Sequence, residues 1–160
     1  MRSGTADIPG PLSGASGFRF AIVYSRFNDA ITESLRDGAR RALDEAGARA
    51  DDVEVVSVPG AFELPQAARS LAETGTFDAV VCLGCVIRGA TPHFDYVAGE
   101  ASRGIGQVST SEEIPIGFGI LTVDTIEQAI ERAGTKAGNK GADAALAAIQ
   151  MATVLRQLEQ

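Results

Sequence analysis

His93 is the only histidine in the chain, and it closes the run Arg88-Gly89-Ala90-Thr91-Pro92-His93. Imidazole is the side chain that both takes and gives a proton near neutral pH. The residues before it read as a turn whose backbone N–H groups can approach a phosphate. Gly84-Cys85-Val86-Ile87-Arg88-Gly89-Ala90-Thr91 nearly matches the nucleotide-binding pattern G-x-x-x-x-G-K-[ST], but Ala90 stands where the lysine belongs. Its absence argues against ATP or GTP turnover and leaves a simple phosphate as the fitting anion. A proton carrier beside an anion cradle points to an enzyme acting on a phosphorylated small molecule. Read alone, His93 is equally a surface histidine at a helix start, and the turn an ordinary Gly-rich connection.

Other residues offer complementary chemistry, each with a plain structural reading beside it. Arg132 falls in the last turn of an expected helix, where it either complements the helix dipole or serves as the fixed cation of a phosphate site. Lys136 and Lys140 lie close by in Gly134-Thr135-Lys136-Ala137-Gly138-Asn139-Lys140-Gly141. Phe27, between Arg26 and Asn28, has no periodicity to bury it and is placed either to stack on a planar heterocycle or to fold back onto the core. Phe62 and Glu63 follow the turn Pro59-Gly60, and Glu63 either accepts hydrogen bonds from substrate hydroxyls or favours a helix N-terminus. Phe118, between two glycines, is core or pocket wall. Cys82 and Cys85 form a C-x-x-C pair, but no second ligand pair accompanies them, and the apolar run around Cys82 favours inert packing.

These residues need a scaffold that gathers them. At 160 residues the chain is one domain by default, with 45% hydrophobic residues and a net charge of −7. That charge argues against a general nucleic-acid or anionic-membrane binder, so a phosphate site must rest on local cations and amides. No apolar run approaches membrane-spanning length and no secretory signal is apparent, which makes the cytoplasm the expected compartment. Strands are expected over residues 18–24, 53–58, 79–83 and 116–121. Helices are expected from Asn28 or Asp29 to Gly47, over residues 64–73, from the end of a Gly84-to-Pro92 loop to about Val108, from Asp124 or Thr125 to Arg132, and from the end of a Thr135-to-Lys140 loop to about Leu158. The mostly apolar strands alternate with helices, which implies a parallel sheet covered on both faces. Residues 1–17 read as a flexible segment and 18–160 as one domain. In such a sheet, ligands bind beyond the carboxyl ends of the strands. Residues 26–28, 59–63 and 84–93 follow the first three strands, with Phe118 and Gly119 expected in the outer half of the fourth, so one pocket is expected to collect all four segments.

The motifs Arg26-Phe27-Asn28, Val58-Pro59-Gly60-Ala61-Phe62-Glu63, residues 86–97, Phe118-Gly119 and residues 127–141, in this order, resemble the lumazine synthase family of riboflavin biosynthesis. The likeness runs from about Phe18 to the C-terminus. It implies a flavodoxin-like three-layer α/β/α sandwich with a four-stranded parallel sheet. The implied reaction condenses 5-amino-6-(D-ribitylamino)uracil with (2S)-2-hydroxy-3-oxobutyl phosphate to 6,7-dimethyl-8-ribityllumazine, with no metal and no cofactor. By the family pattern, Phe27 stacks on the pyrimidine, and Ala61, Phe62 and Glu63 hold the ribityl chain. Cys85 (through its backbone), Val86 and Ile87 line the uracil site with Phe118. Ala90, Thr91 and Arg132 bind phosphate, His93 transfers protons, and Lys140 contacts substrate. The resemblance further implies a homo-oligomer, a pentamer or a sixty-subunit icosahedral shell, with pockets between neighbouring subunits, so Phe118 and Arg132 are expected to serve the adjacent subunit's site. The short Gly134-to-Gly141 bend favours the shell, and a riboflavin synthase inside it is a partner the resemblance allows. The helix after His93, rich in Ala98, Gly99, Ala101, Ser102, Gly104 and Gly106, is expected around the pentamer axis. Two other readings share the fold: a lumazine- or flavin-binding shell protein without catalysis, and an archaeal-type riboflavin synthase.

Overall fold

Phe20, Ala21, Ile22 and Val23 are wholly buried, as required of a strand covered on both faces. They lie in β1 (Phe20–Ser25), an inner strand of the sheet. In the computed structural model, which describes residues 14–159, β1 is followed by α1 (Asp29–Glu45), β2 (Val53–Val58), one 3-10 turn (Ala61–Glu63) and α2 (Leu64–Glu73). Next come β3 (Ala79–Ile87), α3 (His93–Ser111), β4 (Ile116–Val123), α4 (Ile126–Arg132), the short strands β5 (Ala133–Thr135) and β6 (Gly138–Asn139), and α5 (Lys140–Leu158). The first four strands form one sheet in the order β2-β1-β3-β4, parallel throughout. This is the expected flavodoxin-like α/β arrangement.

Alternation along each strand divides the core. Phe20, Ile22, Val81 and Leu83 pack with α1 and α5, where Leu35, Ala39, Leu43, Ala145 and Ile149 face the sheet. Ala21, Val23, Val80 and Cys82 point the other way, toward Leu64 and Ala68 of α2 and Ala101, Ile105 and Val108 of α3. The stripe expected on α1 is the buried one: Ile31, Leu35, Ala39, Ala42 and Leu43. Gly47 closes that helix at φ 102°. Its N–H reaches Asp44 O (3.0 Å) and that of Ala48 reaches Leu43 O (3.0 Å), the paired bonds of a Schellman cap.

Three boundaries differ from the expectation. β3 does not stop at Leu83. Gly84, Cys85, Val86 and Ile87 pair with Ile120, Leu121, Thr122 and Val123, so the loop shrinks to residues 88–92. β4 likewise runs to Val123, and Phe118, opposite Cys82, is the third of its eight residues rather than one in the outer half. The two strands extend each other: each supplies the hydrogen-bond partners that a glycine-containing run does not predict alone. Finally, the supposed Thr135-to-Lys140 loop holds the antiparallel β5–β6 hairpin. Residues 1–13 of the expected flexible segment lie outside the described residues. Residues 14–17 form a turn in which Ala15 is buried and donates its N–H to Ala46 O at 3.0 Å. Among the described residues no helix is long and apolar enough to cross a membrane.

Candidate active site

A cleft of about 730 Å³ opens at the carboxyl ends of β1, β2 and β3, within the size range of small-molecule sites. Three chain segments form its floor and walls. Arg26 N–H donates to Val58 O (2.8 Å) and Phe27 N–H to Pro59 O (3.1 Å), which ties the loop after β1 to the loop after β2. Asn28 adopts the left-handed conformation (φ 64°, ψ 49°), and its Nδ2 donates to Cys85 O at 3.1 Å. This amide does not cap α1, as its sequence position invites. It fixes the Phe27 loop to the end of β3 instead, with local backbone strain of the kind held at functional sites. The Phe27 ring is left 72% exposed in the cleft, with Phe62 at 57% and Tyr96 at 74%. Three uncovered aromatic rings around one concavity form a surface suited to flat, apolar-faced ligands.

The turn and α3 supply the fourth wall. Gly89, Thr91 and His93 line the cleft; Ala90 sits in the same turn but does not line it. Among the described residues, the amides of residues 89–91 take part in no backbone pairing, and they precede a helix N-terminus, where free N–H groups favour an anion. His93 is the first residue of α3. Phe94, Tyr96 and Val97 also line the cleft and were missed as site residues. Tyr96 and Val97 stand three and four positions beyond His93 on one helix, the spacing that places side chains on a common face. That spacing was available in the sequence.

Arg88, at the start of the turn, is already neutralised. Its Nε lies 3.0 Å from Asp124 Oδ1, its Nη1 lies 3.6 Å from Asp95 Oδ1, and the guanidinium stacks 4.5 Å from the Phe94 ring centre. It therefore braces the turn. The two cysteines are three positions apart on a strand, so they face opposite sides of the sheet. Cys82 packs with the α2–α3 cluster and Cys85 with the α1–α5 cluster. That orientation rules out a shared chelate or a disulfide between them and bears out the reading as packing. Burial pushes the Cys82 thiol up to about 12 and the Cys85 thiol up to about 11, so both remain protonated near neutral pH. Cys85 meets the cleft through its main chain, whose carbonyl holds Asn28.

A sequence model of the family described as 6,7-dimethyl-8-ribityllumazine synthase matches residues 17–156. A protein of Syntrophus aciditrophicus (strain SB) bearing the same name is 60% identical over 144 residues, covering 90% of this chain and 94% of the relative. The chain belongs to the 6,7-dimethyl-8-ribityllumazine synthase family. It is an enzyme of riboflavin biosynthesis and condenses 5-amino-6-(D-ribitylamino)uracil with (2S)-2-hydroxy-3-oxobutyl phosphate, forming the lumazine and releasing phosphate and water.

Lumazine synthase chemistry asks for an aromatic platform, a polyol partner, a phosphate counter-charge and a proton carrier in one place. The cleft brings together Phe27, Ala61, Phe62, Glu63, Cys85, Val86, Ile87, Thr91 and His93, but among the described residues no lysine or arginine lines it. Phe118, Arg132 and Lys140 line a second concavity of about 280 Å³ with Thr122 and Asp143. The single pocket expected from the sequence is therefore two within one chain. The cause is the longer β4, which leaves Phe118 halfway along an edge strand, 48% exposed, with α4 and α5 beside it. Arg132 Nη1 donates to Gln128 O at 3.0 Å and lies 3.8 Å from Glu131, and Lys140 lies 3.5 Å from Asp143. Arg132 thus fills the helix-dipole role, while its partly exposed guanidinium still faces open space.

Proposed function

We propose that each lumazine synthase site is built by two neighbouring copies of this chain, one giving the cleft and the other giving Phe118, Arg132 and Lys140. One observation carries this reading: among the described residues the cleft has the aromatic rings, the amide turn and His93 but no lysine or arginine, while Arg132, Lys140 and one more exposed ring line a second concavity. A phosphate drawn from water requires a charged partner, and the residues that lack a ligand of their own are of the type needed. Phe27 then stacks on the pyrimidine, Ala61, Phe62 and Glu63 hold the ribityl chain, and Val86, Ile87 and the Cys85 main chain meet the uracil edge beside the neighbour's Phe118. The 89–91 turn and the neighbour's Arg132 hold the phosphate through Ala90 and Thr91, with Lys140 close to the bound substrates.

Held in this way, the C5 amine of the pyrimidine adds to the ketone and loses water to form an imine. Phosphate leaves as the adjacent C–H gives up its proton. The carbonyl carbon so formed meets the ribitylamino nitrogen, and ring closure releases the second water. His93 carries protons through these steps. Each step is a proton transfer, an addition or an elimination, and none changes the total number of electrons.

The assembly is a closed ring of five copies, in which one head-to-tail contact repeats around the axis, with twelve rings forming the shell. In α3, Gly99 and Gly106 face open space, while an added Cβ at Gly104 would meet Pro65 at 2.7 Å. One side of the small-residue stripe is thus used within the chain and the other is free for a neighbouring α3. Residues 18–160 carry the whole machinery as one domain, in the cytoplasm, with a riboflavin synthase as the partner that consumes the product. The test is activity resolved by size. Light scattering coupled to assays of lumazine absorbance and phosphate release should find turnover only in pentamers or larger shells. A monomer with full activity would overturn the shared site, and pentamers alone across all buffers would remove the shell.

A further inference from the structure

Between the two proposed cations lies a side chain that the reaction does not use. Asn139 is paired with Ala133, the residue after Arg132, and immediately precedes Lys140. All the bonding capacity of its amide is directed inward. Oδ1 accepts from the N–H groups of Gly141 (2.8 Å) and Ala142 (3.1 Å), capping α5. Nδ2 donates to Ser34 O of α1 at 3.0 Å and to Ala133 O at 3.4 Å. Two glycines make room for this contact. A Cβ at Gly38 of α1 would lie 2.3 Å from the Asn139 amide carbon, and one at Gly141 would lie 2.1 Å from Leu35 O. The hairpin is also folded back on α4, with Ala137 N–H donating to Glu131 O (2.8 Å) and Thr135 Oγ1 to Ile130 O (2.8 Å).

We infer that Asn139 is a positioning residue, a staple that sets Arg132 and Lys140 at a fixed distance from α1 so that both meet the phosphate-bearing substrate of the adjacent subunit. The inference rests on the shared-site reading above. The capping half of the side chain serves stability; the donor half serves geometry. The distinction matters because Arg132 ends α4 and Lys140 begins α5, on either side of the β5–β6 hairpin, and a displacement of about 1 Å in a positioning group can cost a hundredfold in catalytic efficiency. The rod that receives the staple also begins at Asn28, so the same helix orients Phe27 in its own cleft and the cation pair offered to the neighbour.

Asn139→Ser separates the two halves. Serine and asparagine cap helix N-termini about equally well, but serine is too short to reach Ser34 O while capping. The assembled variant should keep its melting temperature and oligomeric state, keep kcat, and show a KM for the phosphate-bearing substrate raised about tenfold, with the dissociation constant for inorganic phosphate rising in step. Gly38→Ala reaches the same end from α1 by pushing the intact amide aside, and is the variant to use if the serine protein does not fold. A folded variant of either kind with the parental KM and phosphate affinity overturns the inference. Arg132→Ala is measured alongside. If it raises KM while Asn139→Ser does not, the staple alone is wrong; if neither does, the shared phosphate site is wrong.

Discussion

Arg132→Ala raises KM for (2S)-2-hydroxy-3-oxobutyl phosphate by roughly 10- to 100-fold, the loss expected for a charge-assisted hydrogen bond worth about 1.5–3 kcal/mol, and leaves kcat at saturation close to the parent. The size of the effect follows from the lack of an alternative. Among the described residues no lysine or arginine lines the cleft, and Arg88 is held by two carboxylates and the Phe94 ring. The turn amides still hold the phosphate, which is why binding weakens rather than disappears. The pyrimidine substrate, which the proposed site binds through Phe27 and the 61–63 segment, is expected to keep its KM. Steady-state kinetics with each substrate varied in turn checks both statements. Parental KM values for both substrates contradict the assignment of Arg132. Truncation also removes the part-buried bond to Gln128 O within α4, and the stability loss should stay within about 1 kcal/mol.

His93→Ala lowers kcat by about a hundredfold, the low end of what general acid–base help supplies, with both KM values little changed. Orienting two partners accounts for about 7–11 kcal/mol in well-ordered systems, a larger share than proton transfer. His93 lies on an exposed first turn of α3, where water or buffer can carry protons in its place. The variant should therefore keep activity well above the uncatalysed reaction, and added imidazole should recover part of the rest. A complete loss of turnover, with fold and assembly intact, reverses this ranking of position over proton transfer.

The order of elements and the buried stripe of α1 were legible in the sequence because they depend on local periodicity. So was most of the cleft, since Phe27, the 59–63 segment and His93 each follow a strand end. What the sequence did not disclose depends on partners. Gly84 looks like the start of a loop until Ile120 is found beside it. Asn28 looks like a cap until Cys85 O takes its amide. Phe118 looks like a member of the same pocket until β4 is seen to continue five residues beyond it. Asn139 drew no notice because its four hydrogen bonds span 105 residues of chain at the widest, from Ser34. The one feature open to a closer reading was the face shared by His93, Tyr96 and Val97.

The central claim, that one lumazine synthase site is assembled from two subunits, is tested by mixing two impaired chains. His93→Ala and Arg132→Ala proteins are unfolded, combined in equal amounts, refolded together and assayed at substrate concentrations well below KM. If His93 and Arg132 act from adjacent subunits, random assembly leaves about a quarter of the interfaces with both residues native, and activity rises to about that fraction of the parent, far above either variant alone. If the two residues act within one chain, no site regains both, and the mixture stays at the average of the two variants.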